Sequence, residues 1–156
     1  SNWTGAIFAA AGLERIGLRP QNAIDLDWML PAPAQGAIMV VCREDDVYTI
    51  ESCAPLNHEE TALCTKIERD FLSGLMGGCS TPISALALVK NGEVIFQGQV
   101  IDPDDAQLGA SHIEGAAPLA NASNLGWELS KNLLSDSISK NILERIRNKG
   151  ITNDEA

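Results

Sequence analysis

The sequence has no run of about 20 apolar residues, the length a helix needs to cross a bilayer, and no charged-then-apolar leader ahead of a cleavage site. We therefore expect a cytosolic protein. It is also short of cations, with 11 Lys and Arg against 21 Asp and Glu and a formal net charge of -10. That balance excludes a nucleic-acid or anionic-membrane surface, both of which need clustered Lys and Arg, so any anionic ligand must meet a local cationic pocket. The four cysteines, Cys42, Cys53, Cys64 and Cys79, form no CxxC pair, and His58 and His112 stand apart from them in sequence, so no metal centre is expected. Nothing else suggests a secreted disulfide scaffold, and reduced thiols are the expectation. The chain also lacks an initiator Met, opening Ser1-Asn2 and entering an apolar segment almost at once, so we expect upstream sequence to be missing.

What is present is one ordinary core's worth of material: 156 residues, 45% of them hydrophobic. Ala6 to Ala11 reads as a strand running into a short helix that ends at Gly17 and Pro20. Pro31 and Pro33 make Asp27 to Gln35 a connector, because proline removes backbone donors and favours extended geometry. Ala37 to Cys42 is nearly all apolar, as a strand buried on both faces would be. Asp45 or Asp46 can cap a short helix through Val47, Ile50 and Cys53, stopped by Pro55. Asn57 with Glu60 fits a capping-box start for an amphipathic helix of about five turns on Leu63, Ile67, Phe71 and Leu75, ended by Gly77 and Gly78.

Pro82 to Val89 is an apolar strand, and Asn91-Gly92 signals a type I′ hairpin into Val94 to Ile101. A third strand is expected near Ser111 to Gly115. Two closing helices follow on Leu125, Leu129, Leu133 and on Ile138, Ile142, Ile146, the first capped by Asn121 or Ser123. The expected class is α+β: a small antiparallel three-stranded sheet covered on one face by helices over 44–156. It is preceded over 1–43 by strand–helix–strand remnants of a larger α/β body.

The segment most suited to chemistry is Leu75-Met76-Gly77-Gly78-Cys79-Ser80-Thr81-Pro82, which sets a thiol on a glycine-rich loop between a long helix and a strand. Loops on rigid scaffolds display reactive groups. Cys79 can equally be a small buried hydrophobe, and a helix C-terminus opposes thiolate formation. A thiol paired with His58 or His112 in a hydrolase or transferase, and a non-enzymatic interaction module in which Cys79 is incidental, both stay open on these residues alone. Cys42, Cys53 and Cys64 fall on apolar faces and read as core filler, His58 as a solvated or cap-adjacent residue, and His112 as partnerless in a polar stretch.

Six blocks in order resemble the porphobilinogen deaminase (hydroxymethylbilane synthase) family. They are Ala9-Ala10-Ala11-Gly12-Leu13-Glu14-Arg15-Ile16-Gly17-Leu18, Leu30-Pro31-Ala32-Pro33-Ala34-Gln35-Gly36-Ala37, Cys42-Arg43-Glu44-Asp45-Asp46, Leu56-Asn57-His58-Glu59-Glu60-Thr61, Glu68-Arg69-Asp70-Phe71-Leu72 and Gly77-Gly78-Cys79. The resemblance implies a monomeric three-domain enzyme of heme biosynthesis, a transferase that joins four porphobilinogen molecules into hydroxymethylbilane with release of ammonia. Residues 1–43 would be the end of domain two and a crossing strand of domain one, and 44–156 the cofactor-carrying domain three.

Cys79 would hold a covalent dipyrromethane through a thioether, which suits a thiol: loss of ammonia from porphobilinogen gives an electron-poor azafulvene that sulfur can trap. The resemblance gives Arg15 the role of contacting pyrrole carboxylates, for which a guanidinium fork is suited, whereas the residues alone fit a helix-end arginine that steadies the dipole. Gln35 and Gly36 would lie in an interdomain connector. The family's catalytic aspartate would lie in the missing domain one, so the chain alone is expected to be inactive. Met76 departs from the family pattern, where an acid commonly precedes the two glycines, and Ser80-Thr81 stand where larger residues are common.

Overall fold

The computed structural model describes residues 4–75, 82–102, 104 and 109–153, the last five by backbone alone. Its centre is an antiparallel sheet of order β1-β2-β3, formed by Ile83–Lys90, Glu93–Ile101 and Ala110–Pro118. Asn91 and Gly92 join the first two strands with φ of 53° and 81°, both left-handed, which is the type I′ geometry whose twist matches the flanking strands. Ile83 pairs with Val100 at one end of that ladder and Lys90 with Glu93 at the other.

Residues of β2 alternate in burial, as a pleated strand with one covered face requires: Val94, Phe96, Gly98 and Val100 point into the core between more exposed neighbours. Helix α3 (Glu59–Gly74) lays Cys64, Ile67 and Phe71 against that face, with Leu75 just beyond its end, at the spacing that keeps one stripe of a helix in contact. Phe71 and Phe96 meet with ring centroids 5.0 Å apart and planes tilted by 60°. Helix α4 (Leu125–Ser135) adds Leu125, Leu129 and Leu133, and α5 (Ser137–Asn153) adds Ile142 and Leu143. The class is therefore α+β, with helices packed on the sheet, as the residue pattern indicated.

Two glycines make the helix packing possible. A Cβ at Gly126 would lie 2.1 Å from the Ile67 carbonyl oxygen, and one at Gly74 would lie 2.0 Å from Ser130 Oγ, so α3 and α4 touch backbone to side chain without spacing residues.

The caps of α3 and α4 differ from expectation, and that of α2 agrees with it. Helix α3 is capped by His58, not Asn57: its Nδ1 accepts the Thr61 N–H at 3.3 Å, while Asn57 is turned to Glu59 through its side-chain amide. Asn121 and Ser123 do not cap α4, because they sit inside a 3-10 turn, Leu119–Asn124, that runs directly into it. The short helix α2 (Val47–Cys53) is capped by Asp46, whose carboxylate accepts from Thr49 N–H at 3.0 Å and Thr49 Oγ1 at 2.7 Å. Helix α3 ends at Gly74, and Gly77 and Gly78, expected to end it, lie outside the described residues.

Among the described residues, the first 43 positions hold one helix, α1 (Ala10–Arg15). It closes on a Schellman motif, with Leu18 N–H donating to Leu13 O, Gly17 N–H donating to Glu14 O, and Gly17 at φ 67°. The flanking remnants expected as strands are not strands: residues 6–9 and 37–42 pair with no strand among the described residues, and Ile38 and Val41 are 95% and 78% exposed rather than buried. A strand exists only through its partner's hydrogen bonds, and these segments meet none. Cys42, read as core filler, is exposed for the same reason.

Candidate functional site

Cys79, the residue on which the sequence reading turned, lies outside the described residues with Met76 to Thr81. Its two stems are described. Leu75, fully buried, closes α3 by donating its N–H to Phe71 O at 3.1 Å, and its own carbonyl accepts from Arg147 Nη2 at 3.2 Å. That places a guanidinium from α5 on the partially negative end of α3. On the other side, the Pro82 carbonyl accepts from Ile101 N–H at 3.1 Å, continuing the β1–β2 ladder. Both ends of the Cys79 segment are thus held by the core.

Arg15 sits exposed in the last turn of α1 and makes no ion pair or side-chain hydrogen bond among the described residues. The next arginine is differently placed. Arg19 forks onto Asp25 at 2.7 and 2.8 Å and also meets Glu14, and these carboxylates raise its pKa, the Glu14 hydrogen bond first. Of the two cations near α1, Arg15 is the one whose donors are open to an incoming carboxylate.

Gln35 and Gly36 lie on a compact turn. Ala32 N–H donates to Gln35 Oε1 at 2.9 Å, Gln35 N–H returns to Ala32 O at 3.0 Å, and Ala34 and Gly36 hold φ of 59° and 82°. The turn lies against the sheet, since Pro31 O accepts Ala85 N–H at 3.0 Å.

Glu68 is the group that reading the sequence missed. It is 6% exposed, with Oε2 accepting Ala34 N–H at 2.7 Å and Oε1 accepting Ala87 N–H at 2.8 Å. Burial pushes its pKa up, while the two N–H donors and neighbouring Arg69 pull it down. A signal was present, because Glu68 falls on the same helical stripe as Cys64, Phe71 and Leu75, where a lone acid needs a partner. Cys64 beside it has its pKa raised, by burial first and then by Glu68 and Glu60.

The two histidines are engaged locally. His58 Nδ1 faces Thr61 N–H and Oγ1, and His112, expected to be partnerless, has Nε2 3.5 Å from Glu114 Oε1 on the same strand. A cavity of about 400 Å³ opens between residues 37–42 and helices α2 and α3, lined by Ile38, Val40, Cys42, Cys53, Leu56 and Arg69. A second, of about 390 Å³, lies beside the connector and is lined by Gln35, Gly36, His58, Cys64 and Glu68. Neither is lined by Arg15. Among the described residues there is no cluster of three or more His, Cys, Asp or Glu placed to hold a metal, and no helix long and apolar enough to cross a membrane.

Two family models match the chain in order. Residues 1–51 match the model described as porphobilinogen deaminase, dipyromethane cofactor binding domain, and residues 62–135 match the one described as porphobilinogen deaminase, C-terminal domain. Arg15 falls within the first and Cys79 within the second. The chain is 34% identical over 152 residues to the porphobilinogen deaminase of Listeria innocua serovar 6a, covering 94% of this chain and 48% of that protein. It is 36% identical over 152 residues to that of Listeria monocytogenes serotype 4b, with the same coverage. To that of Syntrophotalea carbinolica it is 39% identical over 133 residues, 84% of this chain and 42% of that protein. The chain thus spans about half the length of the curated relatives it matches.

Proposed function

Since the chain belongs to the porphobilinogen deaminase family, we propose that it is the C-terminal half of an enzyme joining four porphobilinogen molecules into hydroxymethylbilane with release of ammonia. In this reading residues 1–43 are the end of a second domain and a crossing strand of the first, and 44–156 are the domain that carries the cofactor. The observation that carries it is the ordered match of both family models, with Gly77-Gly78-Cys79 inside the second.

The residues present fit a dipyrromethane in kind. A thioether needs one thiol on a segment whose ends are fixed, and Leu75 and Pro82 are both tied to the core. Carboxylate-bearing pyrroles need donors not already taken, and Arg15 has them where Arg19 does not. When bound, the group supplies the primer on which the pyrrole chain is lengthened. Cys79 holds it as an anchor rather than as a turnover nucleophile. Arg15 receives acetate or propionate side chains, and Arg147 offsets the negative end of α3 beside the anchor segment.

The net charge of -10 repels a substrate rich in carboxylates, so the remaining anion-binding arginines belong to the other half of the enzyme. The catalytic aspartate is assigned there too, and the isolated chain is inactive. The parent enzyme is cytosolic and monomeric, with porphobilinogen and its own N-terminal domains as partners and neither nucleic acid nor membrane among them.

The test is the denatured intact mass of the full-length parent, wild type and Cys79→Ser, each assayed for bilane formation. A dipyrromethane-sized adduct on the wild type alone, together with bilane from the wild type alone, is the expected result. Active wild type at bare polypeptide mass would overturn the anchor role.

A further inference from the structure

Glu68 is a buried carboxylate whose two oxygens are both spent on backbone N–H groups, one from the connector and one from the edge strand of the sheet. No side-chain cation touches it among the described residues, since Arg69, next along the helix, is exposed and acts only through its field. An anion is kept in such a place only when its hydrogen bonds are short and fully made, and these are 2.7 and 2.8 Å.

The donors are specific. Strand β1 is an edge, and its Ala85 and Ala87 N–H groups turn outward from β2. Pro31 O takes the first and Glu68 Oε1 the second, so the connector and α3 together stand in for a fourth strand. The connector end is strained: Ala34 holds φ 59°, a left-handed conformation that a non-glycine residue keeps only where its surroundings enforce it. Prolines at 31 and 33 leave the turn few donors, and the Ala34 N–H is the one that crosses to α3.

We propose that Glu68 is a positioning residue whose carboxylate pins the Pro31–Gly36 turn to the sheet edge, fixing the segment that carries Gln35 and Gly36 relative to α3, the helix that leads to Cys79. The clamp itself stands on the geometry; its service to the reaction rests on the function proposed above. A shift of this turn would alter how the N-terminal segment bearing Arg15 meets the domain bearing the anchor.

The experiment reads amide hydrogen exchange by NMR on the 156-residue chain as wild type, Glu68→Gln and Glu68→Asp. Glutamine keeps the volume but has one acceptor for two donors, and aspartate keeps the charge but is shorter by one methylene. The expected result is protection of Ala34 and Ala87 in the wild type, at least one of them about tenfold faster in each variant, with Val94 and Phe96 unchanged. Ala34 exchanging as free chain in the wild type, or no change in either variant, overturns the clamp. Equal acceleration at Val94 and Phe96 also overturns it, because Glu68 would then be only part of the common core.

In the full-length parent, Glu68→Gln should lower kcat about tenfold while the Cys79 adduct stays at its wild-type level. Unchanged kcat with a loosened Ala34 removes the service to the reaction. A wild type without adduct removes the proposed function and leaves the clamp to be judged on exchange alone.

Discussion

Gly98 of β2 lies so close under Phe71 of α3 that a Cβ at this position would come within 2.7 Å of the ring's Cζ and 2.8 Å of the Phe96 ring. The tilted phenylalanine pair therefore depends on a missing side chain. Gly98→Ala should cost about 1–3 kcal/mol, the range for overpacking a filled core, read as a lowered urea midpoint with unchanged m-value. Gly126→Ala should cost more, because its Cβ meets the Ile67 backbone carbonyl, which has no rotamer to escape into. Equal effects at the two sites would show that α4 can slide away from α3.

Two acids should titrate against stability in opposite senses. Asp136, at the N-terminus of α5, accepts from Ser139 N–H at 2.9 Å and Ser139 Oγ at 2.8 Å, and these bonds hold its pKa below the ordinary 3.8. Its contribution is present above that value and lost as pH falls through the lower folded one. Asp136→Asn should be less stable than wild type at pH 7 and converge with it in strong acid. Glu68 is raised above its ordinary 4.5 by burial, so its contribution is full below that value and lost as pH rises through the folded one. The margin of wild type over Glu68→Gln should shrink between pH 4 and pH 8 in chemical denaturation.

Arg15 is exposed and makes no ion pair or side-chain hydrogen bond among the described residues, so Arg15→Ala should leave the unfolding free energy within about 0.5 kcal/mol of wild type. In the full-length enzyme the same change should raise KM for porphobilinogen about tenfold, the loss of one charge-assisted contact, with Arg15→Lys intermediate. Unaltered steady-state kinetics would return Arg15 to a helix-end role.

Thiol modification should separate the described cysteines. Cys42 is exposed and Cys53 half-buried, whereas Cys64 is buried with its pKa raised. Alkylation followed by peptide mapping should find Cys42 modified first and Cys64 only under denaturant. Early modification of Cys64 would mean that α3 parts from the connector in solution.

The elements that build their own surroundings were legible in the sequence. The Asn91-Gly92 hairpin, the stripe of Ile67, Phe71 and Leu75, and the leucines of α4 each carry a local pattern that their packing repeats. Ala37 to Cys42 was misread because composition shows what a segment could bury, not whether a partner is there to receive it. The α4 cap was misread because a 3-10 turn can feed a helix without a side-chain acceptor. Arg15 and Cys79 were singled out through ordered resemblance alone, while Glu68 was passed over although its place on the buried stripe was visible, because its partners are backbone groups 34 and 19 residues away.

Helix α3 carries Glu68, and Leu75 follows its last residue seven positions on, so about 10 Å of helix separates the connector clamp from the stem of the anchor segment. A rod measures phase as well as distance. One residue inserted between them would turn one end by about 100° against the other, leaving either the carboxylate facing water or Leu75 out of the core. The interval from 68 to 75 is thus a fixed gauge, and an engineered insertion there should uncouple the two ends even where every side chain is retained.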